Sequence, residues 1–174
     1  MTNDDEPSPS PRSLEIDVLC ESPAWGLALP DPIRCAEKAA RAALVATRVA
    51  GPASLAVSLA DDDAVERLNA AYRGKNRPTN VLSFPDGATD PDGRAALGDI
   101  ILAYETVARE AAQQAKPLAD HVSHLTAHGV LHLLGWDHET EAEAEAMEAM
   151  ERSILAGLGI ADPYEARPPK ETAE

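Results

Sequence analysis

All five histidines of the 174-residue chain fall between His121 and His138. Two of them, His128 and His132, are four apart. On an α-helix that offset is about 40°, so both imidazoles leave one face a turn apart and can grip a single ion. His138 cannot join them on the same helix: six residues on, it would point roughly 240° away and ~9 Å further along the axis. The helix has to stop first, and Gly135 is the residue that can end it, because glycine takes the left-handed conformation of a helix terminus at little steric cost. The chain can then turn back and offer His138 as a third ligand. Three neutral imidazoles with one open position is the donor set of a catalytic zinc rather than of a closed structural one. Zinc so held lowers the pKa of its water to about 7, and neutral ligands leave its full charge for an anionic substrate such as a phosphodiester.

The spacing His-x3-His-x2-Gly-x2-His also occurs in metzincin proteases. Those enzymes carry Glu directly after the first His as general base, whereas this chain has Gly129. The metal geometry is kept and the peptidase base is not. Imidazoles at a metal need further groups to orient them. Asp137 and His124 are the candidates, although Asp137 can equally cap the next helix and His124 can equally be a plain packed histidine. His121 reads as structural or exposed.

A phosphoryl transition state needs cationic hydrogen-bond donors as well. The net charge of −15 argues against indiscriminate nucleic-acid binding, but the segment Arg67, Arg73, Lys75, Arg77 is locally basic. Arg73 is the first candidate for holding phosphate, and Lys75 the second. Arg73 lies where a helix should end, beside Gly74 and at the head of a polar loop, and its guanidinium can hold two phosphate oxygens at once. An arginine at a helix C-terminus is also favoured by the dipole alone.

These residues have to be positioned by a small layered domain. Hydrophobic residues make up 44% of the chain and aromatics 3%, so the core must be Leu, Val, Ile and Ala. Residues 1–12 read as a disordered tail and 161–174 as a Pro-rich tail, leaving 13–160 as a single domain. Leu14 to Leu19 alternates apolar and polar like a half-buried strand. Pro23, Pro30 and Pro32 mark a loop, and Asp31-Pro32 then opens a helix to about Val49. Ser54 to Leu59 is a second strand, and Asp61 to Asp63 cap a helix to about Tyr72. Val81 to Phe84 and Gly98 to Ala103 are two more strands, with no helix between them. Helices follow at Glu105–Gln114, Leu118–Leu134 and Glu139–Leu155. The last is acidic, with Met147, Met150, Ile154 and Leu158 on its inner side. The expected fold is α/β, a small mixed and mostly parallel sheet of about four strands packed with helices. The strand from Val81 to Phe84 is the one expected to run antiparallel, since its short connection lacks a crossover helix.

No apolar run reaches the roughly 18 residues of a membrane span, and the acidic, Pro/Ser-rich start is unlike a signal peptide, so a cytoplasmic location is expected. Cys20 and Cys35 show no ligand spacing and read as free thiols.

Two long stretches carry a resemblance. His121-Val-Ser-His-Leu-Thr-Ala-His-Gly-Val-Leu-His-Leu-Leu-Gly-Trp-Asp-His138 and Leu68-Asn-Ala-Ala-Tyr-Arg-Gly-Lys-Asn-Arg-Pro-Thr-Asn-Val-Leu-Ser-Phe-Pro85 resemble the signature of the YbeY family of rRNA-maturation endoribonucleases. Leu97 to Leu102 and the acidic helix from Glu139 fit as well. The resemblance implies a zinc-dependent, single-strand-specific endoribonuclease acting on 16S rRNA precursor, in 3′-end maturation and ribosome quality control, in contact with the ribosome or small-subunit assembly proteins. It implies one Zn²⁺ on His128, His132 and His138, and a functional Arg73. Whether water or the RNA's own 2′-hydroxyl attacks phosphorus is left open. The competing readings are a zinc hydrolase acting on another substrate and a non-catalytic ribosome-assembly factor with a structural zinc.

Overall fold

The computed structural model describes residues 14–49, 51–74 and 79–165. Its order is β1 (Leu14–Cys20), α1 (Ala24–Ala28), α2 (Pro32–Ala46), β2 (Ala53–Ala60), α3 (Asp62–Arg73), β3 (Val81–Pro85), β4 (Ala95–Ala103), α4 (Tyr104–Gln113), α5 (Leu118–Leu133) and α6 (Glu141–Gly157). The four strands form one sheet in the order β1-β2-β4-β3. β1, β2 and β4 are parallel, and β3 runs antiparallel along β4 at the edge. This is the mixed, mostly parallel α/β sheet expected from the sequence, with the antiparallel strand where a helix-free connection requires it.

Both faces of β4 are covered, which is why Ile100-Ile101-Leu102-Ala103 is continuously apolar. Ile100 and Leu102 join the main core with residues of α2, α5 and α6, while Ile101 and Ala103 face the other way against Val65 of α3 and Leu82. β2 instead alternates, burying Leu55, Val57 and Leu59 in the main core. α5 is the central helix. It packs on α2, on β3 and β4, and on α4 and α6.

Local chemistry sets the helix ends. Asp31 accepts from the Arg34 amide with Pro32 in the first turn, and Asp61 accepts from the Ala64 amide. Thr140 and Glu143 form a reciprocal capping box that starts α6 at Glu141, so Glu139 lies before the helix rather than in it. α2 stops at Ala46, short of the expected Val49. There Thr47 turns its hydroxyl onto the Ala43 carbonyl (2.7 Å) and Arg48 takes a positive φ of 58°. The stretch between Pro23 and Pro30, expected as loop, contains the one-turn α1, whose Trp25 is fully buried and donates to the Ala60 carbonyl (2.9 Å).

One glycine holds sheet and helix together. Gly98 has φ +138°, at an irregularity where Ser54 pairs with Ala96 but Leu55 pairs with Gly98. A Cβ there would stand 2.2 Å from the Phe84 carbonyl oxygen and 2.9 Å from a Leu133 methyl. Gly98→Ala is therefore expected to destabilise the chain by about 3 kcal/mol, read from its urea unfolding midpoint. A midpoint matching wild type would show that β3 and α5 give way without cost.

Candidate metal centre

α5 begins after Pro117, whose extended conformation (ψ 140°) precedes the first turn. It ends as the sequence requires. The Trp136 amide bonds back to the Leu131 carbonyl (2.9 Å) and the Gly135 amide to His132 (3.0 Å), with Gly135 at φ +94°. That is a Schellman terminus, and it turns the chain so that His138 comes back alongside the helix.

His121, His124, His128 and His132 share one face of α5, and the stripe emerges gradually from the core. Side-chain exposure is 4% at His121, 12% at His124 and 24% at His128. His132 is half-buried and His138 exposed. A cavity of about 400 Å³ runs beside the stripe, with Asn80, Glu110, His124, His128 and Tyr164 among its walls.

Three of the imidazoles converge. His128, His132 and His138 each offer a ring nitrogen, and these atoms all lie within 4.8 Å of one another. His128 Nε2 and His132 Nε2 are 3.0 Å apart, and the His138 ring is 5.2 Å from His132 and 5.9 Å from His128. Nitrogens on a tetrahedral zinc with bonds of about 2.0–2.1 Å stand roughly 3.3 Å apart. The cluster could hold a metal ion after small ring movements, and among the described residues it has three members.

The orienting carboxylate comes from α6. Glu151 is fully buried. Its Oε2 accepts from His128 Nδ1 at 2.6 Å, and its Oε1 accepts from His124 Nε2 at 2.7 Å and from the Tyr164 hydroxyl at 2.5 Å. A carboxylate only accepts, so the His128 proton sits on Nδ1 and the ring lone pair on Nε2, turned toward His132 and His138. Burial pushes the Glu151 carboxyl up, but the hydrogen bonds from His124, His128 and Tyr164 outweigh it and hold it at about 2. Burial lowers the His132 pKa, and His128 and His138 close by add to the effect. A carboxylate that fixes the orientation of a ligating imidazole is the usual partner of a metal-binding histidine.

The other expected site residues are placed as follows. His124 joins the centre through Glu151 rather than by touching the three-histidine cluster. Asp137 Oδ1 accepts from the His138 amide (2.8 Å), and its carboxyl is lowered chiefly by a hydrogen bond with Glu139. Its bonds are thus to its own neighbours, and the cap of α6 is Thr140. His121 is a packed structural histidine on Glu110 (2.9 Å), and burial lowers its pKa. Arg73 is the last residue of α3, ahead of Gly74 in the left-handed conformation. Lys75 lies outside the described residues.

Gly129 acquires a different meaning. A Cβ there would meet the Ile100 side chain at 2.9–3.2 Å, so position 129 faces the sheet and not the histidines. No side chain at 129 could act as a base in this fold, and glycine is needed there for close approach of α5 to β4.

Sequence reasoning missed Glu151 and Tyr164. Glu151 had a signal. It stands in line with Met147 and Ile154, a carboxylate on the apolar stripe of α6. Tyr164 sits between prolines in what read as a tail, yet residues 161–165 pack back on the domain.

Fold and site together define a small α/β protein with a three-histidine cluster, backed by a buried carboxylate, that could hold a metal. The family model described as Endoribonuclease YbeY matches residues 29–159. A Parvibaculum lavamentivorans protein of that name is 50% identical over 170 residues, 92% of this chain and 90% of its own. One from Rhodopseudomonas palustris strain BisB5 is 61% identical over 122 residues, 66% of this chain and 63% of that protein's length. The solution structure of TM1509 from Thermotoga maritima is similar in fold (TM-score 0.52, 23% identity) over 90% of this chain and 99% of that one. The chain belongs to the YbeY endoribonuclease family.

Proposed function

We propose that the protein is a zinc-dependent endoribonuclease that cuts single-stranded RNA, and that its substrate is 16S rRNA precursor during 3′-end maturation and ribosome quality control. The observation that carries this reading is the convergence of three ring nitrogens with no fourth member in the group among the described residues. A closed structural site has four protein ligands, whereas a catalytic one leaves a position for substrate or water. The relatives' shared name supports RNA as the substrate, and the resemblance of both long motifs supports ribosomal RNA, a cytoplasmic setting and small-subunit partners.

In this reading His128, His132 and His138 hold one zinc ion. Zinc there supplies Lewis-acid polarisation and activation of water near neutral pH. The chain's own residues do the rest. Glu151 holds the His128 proton on Nδ1, and His124 holds Glu151. Arg73, at the C-terminal end of α3, clamps the scissile phosphate, and Lys75 assists it. The orienting groups sit in the core and the three nitrogens at its edge, so the site is preorganised before RNA arrives.

The test uses unstructured RNA and the full chain. Cleavage is expected to stop on chelation and return with added zinc. Arg73→Ala should bind zinc normally and cleave about 10²–10³-fold more slowly, the usual loss of one transition-state donor. Cleavage surviving both chelation and Arg73→Ala would overturn the reading. Product ends then decide the nucleophile. A 2′,3′-cyclic phosphate means attack by the RNA's own 2′-hydroxyl, and its absence from the first products means attack by water.

A further inference from the structure

Beyond Gly159, where the family match ends, the chain turns back on itself. The Ile160 amide bonds to the Leu155 carbonyl (2.8 Å), and Asp162 takes both Arg152 Nε (3.1–3.2 Å) and the Tyr164 amide (2.8 Å). Lys116 Nζ reaches across from the α4–α5 connection to the Pro163 carbonyl (3.3 Å). These contacts bring the Tyr164 ring edge-on to His124, with centroids 5.3 Å apart, and under the Arg152 guanidinium at 5.5 Å. The Tyr164 hydroxyl ends 2.5 Å from Glu151 Oε1 and 3.2 Å from His124 Nε2.

We propose that Tyr164 is a positioning residue of the metal centre, which acts through Glu151 to set the orientation of His128. The geometry gives the reason. Glu151 carries two oxygens, and only Oε2 serves His128. Oε1 is occupied by two donors from different elements, His124 on α5 and Tyr164 on the returning segment. His124 and His128 both come from α5, and the Tyr164 hydroxyl adds a third donor from a separate element, which narrows the rotation of the carboxylate plane. With that rotation narrowed, Oε2 meets His128 Nδ1 in one direction, and Nε2 is aimed at the other two rings. The segment that brings the Tyr164 hydroxyl to Glu151 therefore lies outside the residues that the family model matches. The inference rests on the metal-centre reading above.

Tyr164→Phe tests it, because the ring packing and the Asp162 and Lys116 anchors stay while the hydroxyl goes. Zinc affinity is measured on the full-length chain by competition with a chromophoric chelator. A group hydrogen-bonded directly to a metal-ligating imidazole is worth about 10–100-fold in affinity, so one step further out the expected loss is about three- to tenfold. In a Glu151→Ala background the same change should have no further effect, since the acceptor through which Tyr164 reaches His128 is gone. Wild-type zinc affinity in Tyr164→Phe overturns the inference. So does an equal loss in both backgrounds, which would mean that Tyr164 acts by some route other than Glu151. Failure of the wild-type chain to bind zinc is a separate result, which removes the metal centre itself and the inference with it.

Discussion

His128→Ala is expected to abolish both zinc binding and RNA cleavage. Outer groups that merely orient an imidazole are worth about 10–100-fold in metal affinity. Loss of a ligand from a three-ligand set should exceed that, at least about a thousandfold. The variant should also be less stable without metal. His128 Nδ1 is the partner of the buried Glu151 Oε2, 2.6 Å away, and an unpartnered buried acceptor costs about 1–3 kcal/mol. His132→Ala separates the two effects. Its ring bonds His128 and the Trp136 backbone but not Glu151, so it should lose zinc and cleavage to the same degree with a smaller fall in stability. Zinc content by atomic absorption, a cleavage assay and urea unfolding of the metal-free chains distinguish these outcomes. Stoichiometric zinc with full cleavage in His128→Ala would remove the three-histidine centre.

The residues that make the three nitrogens meet were legible because each leaves a strong local mark. Pro117 and Gly135 bracket a long apolar segment, and both boundaries of α5 follow from backbone chemistry that holds in any context. The antiparallel β3 was legible from what is missing, a crossover helix between Val81 and Gly98. Those are short-range rules, and they do not depend on knowing which elements touch.

What stayed hidden depends on tertiary contact. Gly129 in the sequence is only an absent glutamate. In the fold it is a spacer, because the residue after His128 faces Ile100. Helical geometry would place position 129 about 100° from the histidine stripe, but which neighbour lies there cannot be known before α5 is set against β4. α1 was missed for a similar reason. One turn has almost no propensity signal of its own, and it forms because Trp25 is buried with its indole nitrogen on Ala60. Glu151 was masked by its company. Glu139, Glu141, Glu143, Glu145 and Glu148 precede it and read as a solvated face, and Glu151 differs only in lying over Met147 and under Ile154. Asp137, adjacent in sequence to His138, was the natural candidate for the orienting group, while the carboxylate that holds His128 is 23 residues away in sequence, on another helix.

That position makes Glu151 the residue whose loss should affect both fold and metal. Glu151→Ala removes the acceptor of three donors, His124 Nε2, His128 Nδ1 and the Tyr164 hydroxyl, of which His124 and Tyr164, 3.2 Å apart, can still pair with each other. It also opens space at a fully buried site. Each buried unpaired group costs about 1–3 kcal/mol, and because the three share one acceptor the penalties do not simply add, so a total near 4 kcal/mol is expected. Zinc affinity should fall about 10–100-fold, since the His128 tautomer and ring angle are no longer imposed. Glu151→Gln separates stability from orientation. Its amide fills the same volume and its one carbonyl oxygen can still accept from His128 or from Tyr164, but its NH2 group must face a donor. It should therefore cost about 1–2 kcal/mol, with an affinity between those of wild type and Glu151→Ala. Urea unfolding of the metal-free chains and chelator competition give the two quantities separately. If Glu151→Gln matched Glu151→Ala in stability, the buried charge would matter more than the hydrogen-bond count. If both variants bound zinc as tightly as wild type, Glu151 would be a core residue that happens to touch His128, and the orientation of the metal centre would have to come from α5 alone.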